Sequence, residues 1–204
     1  MSTRDMRNDP VVPARSAILV IDVQRGILNP GTAVERPAFY RAAVDTAVPN
    51  IAALIEAGRR RRVEVCYTVI QSLTQDGRDR GLDYKFTGFH FPPGSEESLV
   101  IDTLWPAADD IVFPKTSSSL FNSTVFEYVM RNIGIDTIIA TGFLTDQCVD
   151  HTIRDGADRG FRMVCAVDAC ATESIERHDS ALRLFSGYCR QATTAALIRE
   201  IEAA

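Results

Sequence analysis

Three side chains in this 204-residue chain could act together as a reactive group: the carboxylate of Asp22, the ammonium of Lys115 and the thiol of Cys148. Each lies where an apolar run stops. Asp22 ends SAILVID, Lys115 ends DDIVFPK, and Cys148 follows IDTIIATG within TDQCVDH. A thiol in the first turn of a helix faces unpaired N–H groups and the positive end of the helix dipole. That setting lowers its pKa and favours the nucleophilic thiolate. A neighbouring ammonium adds to this, and a carboxylate can take the thiol proton and return it to a leaving nitrogen. The backbone N–H groups of TGFLTDQC could hold an oxyanion. The chemistry would be sulfur attack on a carbonyl. On the residues alone the plainer alternatives stay open: Asp22 as a turn cap, Lys115 as a solvated strand end, Cys148 as an inert buried thiol like Cys66 or Cys165. His151 shares a helical face with Cys148 and offers a Cys–His dyad. Nothing in the sequence singles out a partner to orient it, so a packing or interface role is the expectation.

These residues need elements to hold them. A continuous apolar run at 17–21 reads as a strand buried on both faces, the β-branched and aromatic segment 63–70 as a second buried strand, and 109–115, 135–142, 161–169 and a short stretch near 192–194 as further strands. Helical spacing appears over 40–58, at 174–188 and in a terminal segment. Asn122 or Ser123 can cap a helix ended by Gly134, and Thr145 or Asp146 one closed by Gly160. Alternation of this kind predicts an α/β fold, a three-layer α/β/α arrangement with a six-stranded, mainly parallel sheet. In such sheets ligands bind beyond the carboxyl ends of the strands. Asp22, Lys115 and Cys148 are all expected at that edge.

The domain reading is one unit, 16–204, behind a flexible N-terminal arm, 1–15. Residues 71–97 carry charges, glycines and Pro92–Pro93 without a sustained period, yet hold Tyr84, Phe86, Phe89 and Phe91. A segment of this kind is expected to be a lid or a subunit contact. Net charge is -5, with no basic stripe, so nucleic acid is not an expected partner. The four arginines 59–62 read as cations at a helix C-terminus. No apolar run reaches the ~20 residues of a membrane span, and a cytoplasmic location is the expectation. Cys66, Cys148, Cys165, Cys170 and Cys189 form no metal pattern, and no cofactor or metal is expected.

The chain resembles the isochorismatase-like cysteine hydrolases over nearly its whole length. The resemblance rests on LVIDVQ with Asp22 and Gln24, on Lys115 with Ser118 and Phe121, and on GFLTDQCV at 142–149. It implies an Asp22–Lys115–Cys148 triad and a non-proline cis peptide between Phe143 and Leu144. It also implies an oxyanion hole from the Leu144 and Cys148 N–H groups. Family members that hydrolyse isochorismate, a vinyl ether, typically lack the cysteine. The nicotinamidase branch uses an Asp-x-His metal motif that is missing here, where only His90 lies in that region. What remains is an amidohydrolase cleaving the C–N bond of a small carbamoyl or ureide compound, such as biuret, triuret or ureidoacrylate, through a thioester. The 76–95 segment with PKTSSSLFNST is similar to a ureide-directed subgroup. Gln24, Ser118, Phe121, Phe143, Arg78, Tyr84 and Lys85 are the candidate substrate-binding residues, with Arg80 beside them. Family members usually pair, so a homo-oligomer, dimer or tetramer, is expected. The rival readings are a vinyl ether hydrolase, a catalytically silent binding protein of the same fold, and a redox sensor in which Cys170 or Cys189 resolves Cys148.

Overall fold

The computed structural model describes residues 6–204. Six strands run β1 (Ser16–Ile21), β2 (Glu64–Ile70), β3 (Ile111–Lys115), β4 (Thr137–Phe143), β5 (Arg162–Ala171) and β6 (Cys189–Ala192). They form one sheet in the order β3-β2-β1-β4-β5-β6. Every pairing is parallel. The helices are α1 (Pro30–Glu35), α2 (Pro37–Ala42), α3 (Val48–Arg60), α4 (Leu82–Thr87), α5 (Phe126–Asn132), α6 (Asp150–Asp158), α7 (Ile175–Phe185) and α8 (Thr194–Ala203). None of them is long and apolar enough to cross a membrane.

The six residues of β1 are all buried because successive side chains enter two different cores. Ile18 and Val20 pack with Ile51, Leu54, Leu197 and Ile201 of α3 and α8. Ala17, Leu19 and Ile21 pack with Phe126, Met130, Ile153 and Phe185 of α5, α6 and α7. This double burial is the reason the strand reads as an unbroken apolar run rather than an alternating one. The chain builds outward from β1 to β2 and β3, then crosses back to place β4 on the other side of β1. That reversal opens a crevice beyond the carboxyl ends of β1 and β4.

Several boundaries differ from the expected ones for local reasons. The helical pattern from residue 40 is divided into α2, a π turn at Ala43–Ala47 and α3. The helix expected from Asn122 or Ser123 begins later, because Thr124 Oγ1 accepts from Phe126 N at 3.1 Å. The sixth strand is Cys189–Ala192, shifted toward the N-terminus of its expected place. Of the expected N-terminal arm, residues 1–5 lie outside the described residues. Its remainder is packed: Val11 is buried, and Arg162 Nη1 and Nη2 donate to Asp9 O and Pro10 O at 2.7 and 3.0 Å.

Residues 71–97 fold into a flap. The α4 turn sits in its middle, Gly81 N donates to Thr116 O at 2.9 Å, and Ser72 N donates to Phe91 O at 2.9 Å. Tyr84, Phe89 and Phe91 stack in sequence on its inner side. Phe86 points outward and is exposed.

Gly142 holds β4 against β1 at the edge of the crevice. Its φ is +105°, and a Cβ there would lie 2.2 Å from Ile21 O. The atoms it would meet are all backbone of Ile21, so none can swing aside. Gly142→Ala is expected to cost about 3 kcal/mol or more in urea unfolding. A loss below about 1 kcal/mol would show that the two strands can separate at this point.

Candidate active site

Asp22 follows β1 with φ of 55°, a left-handed conformation that Asp tolerates better than most residues. The turn directs its carboxylate across the end of the sheet. Thr68 Oγ1 donates to Oδ1 at 2.7 Å, and Lys115 Nζ lies 2.9 Å from Oδ2. Lys115 is the last residue of β3, two strands away from β1, and is wholly buried. A long side chain is required to reach back along the sheet edge to Asp22. Its ammonium also approaches Tyr84 Oη at 3.0 Å, Ser117 O at 2.9 Å, Ser118 O at 3.2 Å and Cys148 Sγ at 3.4 Å. Three N–H groups are thus shared among five acceptors, and Asp22 Oδ2 receives no well-aligned hydrogen bond.

Cys148 is placed by an unusual turn. An α-helix from Thr145 or Asp146 was the expectation; the segment Thr145–Val149 instead forms a π turn ahead of α6. Val149 N reaches back to Leu144 O at 3.2 Å. The turn is anchored to α7, since Thr145 Oγ1 bonds His178 Nδ1 at 2.9 Å and Arg177 Nε donates to Asp146 Oδ2 at 2.6 Å. The Phe143–Leu144 peptide is cis, as the family resemblance implied. Sγ is surrounded by Lys115 Nζ, Ser118 Oγ at 3.6 Å and Tyr84 Oη at 3.8 Å.

The electrostatics differ from the first-turn argument. Burial pushes the Cys148 thiol up, the Lys115 ammonium pulls it down, and the negative charge of Asp22 pushes it up again, with a net upward shift. The resting group is therefore a thiol that needs a base, rather than a preformed thiolate. For Lys115, burial pushes the ammonium down, but Asp22, Cys148 and Tyr84 outweigh it and hold it well above its ordinary value. Burial raises the Tyr84 phenol above its usual range, so it stays protonated. Cys66 and Cys189 are raised chiefly by burial, which the charge of Arg7 offsets only in part at Cys189. All five cysteines are free and buried.

Asp22, Tyr84 and Cys148 floor a cavity of about 260 Å³ whose walls include Ile27, Ile70, Phe89, Phe143 and Leu144. A cavity this size takes a small molecule. The candidate binding residues separate into two groups. Ser118, Phe143, Tyr84 and Leu144 line the cavity, together with Asp22 and Cys148. Gln24 is buried and fully committed to the backbone: Nε2 donates to Ile70 O and Glu97 O, and Oε1 accepts from Ile70 N. It ties strand ends together, is wholly buried, and does not line the cavity. Phe121 packs in the core between Phe126 and Phe161. Arg78 pairs with Asp76 on the exterior, and Lys85 Nζ donates to Arg78 O at 2.9 Å. Arg80 braces the flap through Gly77 O and Phe89 O.

Two contributors were not legible in the sequence. Thr68 looked like an ordinary β-branched strand residue, yet it holds Asp22. Arg36, between α1 and α2, joins the cavity wall, ion-paired with Glu173 and 4.5 Å over the Phe39 ring. It lies in a stretch without any motif. Among the described residues no group of three or more His, Cys, Asp or Glu is placed to hold a metal ion.

Comparison with known proteins adds three findings. The family profile described as the Isochorismatase domain matches residues 16–196. N-carbamoylsarcosine amidase of Arthrobacter sp is 31% identical over 155 residues, 74% of this chain and 57% of that protein, so the match spans little more than half of that relative's length. A ureidoacrylate amidohydrolase of Methylobacterium radiotolerans is 26% identical over 200 residues, covering 84% of this chain and 74% of that protein. Among solved structures, a cysteine hydrolase from Pseudomonas syringae pv. phaseolicola superposes with a TM-score of 0.87 at 28% identity, covering 96% of each chain.

Proposed function

The chain belongs to the isochorismatase family, and from that premise we propose that it is a cysteine amidohydrolase cleaving the C–N bond of a small carbamoyl or ureide compound. The observation that carries this reading is the buried cluster at the cavity floor, in which the Lys115 ammonium lies 2.9 Å from Asp22 Oδ2 and 3.4 Å from Cys148 Sγ. The N-carbamoyl and ureido substrates in the names of two relatives support the substrate class.

In the proposed cycle Asp22 Oδ2, which lacks an aligned donor, accepts the Cys148 proton as sulfur bonds to the carbonyl carbon. The Leu144 and Cys148 N–H groups hold the developing oxyanion. Collapse breaks the C–N bond, and the proton on Asp22 passes to the departing nitrogen, releasing ammonia or an amine. The resulting S-acyl enzyme, a thioester or for a ureide a thiocarbamate, is attacked by water. Asp22 removes one proton from that water and returns it to sulfur as the acid product leaves. Lys115 keeps its charge throughout and offsets the negative charge as it moves between Asp22 and Cys148. Tyr84 seals the cluster from above, excluding water during acylation.

Arg36 narrows the substrate class. A guanidinium on the wall of a small cavity suits a carboxylate on the carbamoyl compound. Ammonia release from ureidoacrylate and N-carbamoyl amino acids is therefore expected to exceed that from neutral biuret and triuret by about tenfold or more in kcat/KM. Equal rates on the neutral and acidic compounds would remove Arg36 from substrate selection. Silence on the whole panel by well-folded protein would sink the ureide assignment.

A further inference from the structure

A second chain of side chains connects the thiol to the cavity mouth, and the cycle above makes no use of it. Ser118 Oγ lies 3.6 Å from Cys148 Sγ and 2.7 Å from His151 Nδ1. His151 does not contact sulfur in the manner of a dyad; its hydrogen bond goes to the serine. The Ser118 hydroxyl has one proton and can offer it to only one of these neighbours at a time.

Whether His151 Nδ1 carries a proton decides which neighbour receives it. A neutral imidazole with its proton on Nε2 presents Nδ1 as an acceptor, and the Ser118 proton turns toward His151. An imidazolium carries protons on both nitrogens. Nδ1 then donates to Ser118 Oγ, and the serine proton is left to point at sulfur. A donor directed at sulfur favours the thiolate over the thiol.

His151 sits among several charged and titratable groups. His151 is exposed on the first turn of α6 and lines the cavity mouth. Asp83 and Tyr84 face it from the flap, with Arg36 held by Glu173 and with Asp22 and Cys148 at the floor. On its own helix Asp150 is paired with Arg154, and Asp155 lies one turn on. From the adjoining π turn and α7, Asp146 and Arg177 are paired with each other.

We propose that His151 is a positioning residue that aims the Ser118 hydroxyl at Cys148 when protonated, so that the reactivity of the thiol is set in part by a solvent-facing histidine. The proposal rests on reading Cys148 as the nucleophile. It is tested without substrate, by following carbamidomethylation of the Cys148 peptide with iodoacetamide from about pH 5.5 to about pH 9. The full chain is compared with His151→Leu, His151→Asn, Ser118→Ala and the Leu/Ala double variant.

At the acid end the wild type is expected to react about tenfold faster than His151→Leu, and the two rates converge at the alkaline end. Ser118→Ala is expected to match His151→Leu, with no further loss on combining them. His151→Asn, whose amide can donate at every pH, keeps the gain across the range. Parallel profiles for the wild type and His151→Leu would overturn the proposal, as would additive losses in the double variant. Failure of the nucleophile reading shows separately, as amide hydrolysis that survives Cys148→Ser.

Discussion

Cys148→Ser is expected to lower amide hydrolysis by at least about 10⁴-fold in kcat/KM while leaving the unfolding midpoint nearly unchanged. The substitution keeps shape and hydrogen-bonding capacity in a site that is already buried. What it removes is an atom whose proton Asp22 can take. A hydroxyl is a far weaker acid than a thiol, and the cluster holds Lys115, Tyr84 and Ser118 around that atom but no imidazole in direct contact with it. Burial already pushes the thiol up, and it opposes ionisation of a less acidic hydroxyl in the same way. Ammonia release measured beside circular dichroism distinguishes loss of chemistry from loss of fold. Retention of a tenth of the activity would show that sulfur is not the attacking atom, and would direct attention to ether cleavage by activated water.

Lys115→Met is expected to destabilise the fold by about 3–5 kcal/mol in addition to abolishing activity. The variant leaves the Asp22 carboxylate buried beside a thioether, with the Thr68 hydroxyl as its main remaining donor. Taking the charge off both partners removes that penalty. Asp22→Asn/Lys115→Met is therefore expected to recover most of the stability and none of the activity. The pH dependence has a definite sign. Lys115 is held above its ordinary value in the folded state, so its contribution is fully present below the unfolded pKa of about 10.4. It declines as pH rises through the higher folded value. Urea midpoints for the two single variants, the double variant and the wild type close the cycle. A single-variant loss under about 1 kcal/mol would mean that water reaches the pair and screens it.

The structure also explains why a residue of this kind sits at the end of β3. Lys115 has to cross the end of β2 to meet Asp22, and the register Ile70↔Lys115 places it level with the strand it must pass. A shorter cation would stop short, and a guanidinium would need more room than a wholly buried site provides.

What the sequence determined by itself follows from local physics. β1, β2 and β4 are buried along nearly their whole length and leave strongly apolar segments, and strand-like segments alternating with helical ones let five of the six strands, the parallel sheet and the edge carrying Asp22, Lys115 and Cys148 be read directly. The sixth strand is only four residues long, has a single buried residue, Cys189, and lies ahead of its expected place. The turn around Cys148 was read as an α-helix because a π turn and an α-turn share the same composition.

Only the tertiary structure decided which polar groups meet. Gln24, Phe121, Arg78 and Lys85 have types suited to binding, but backbone carbonyls, aromatic neighbours and a nearby Asp76 occupy them. Tyr84 reaches the cluster because a segment without period folds back through Gly81 and Thr116, far apart in sequence. The link from His151 through Ser118 to Cys148 joins residues 33 and 30 positions apart. Periodicity records which face of an element is buried. It carries no record of which side chain from a distant loop will be pressed against it, and in this protein those long-range contacts bring Lys115, Tyr84 and Ser118 to the thiol.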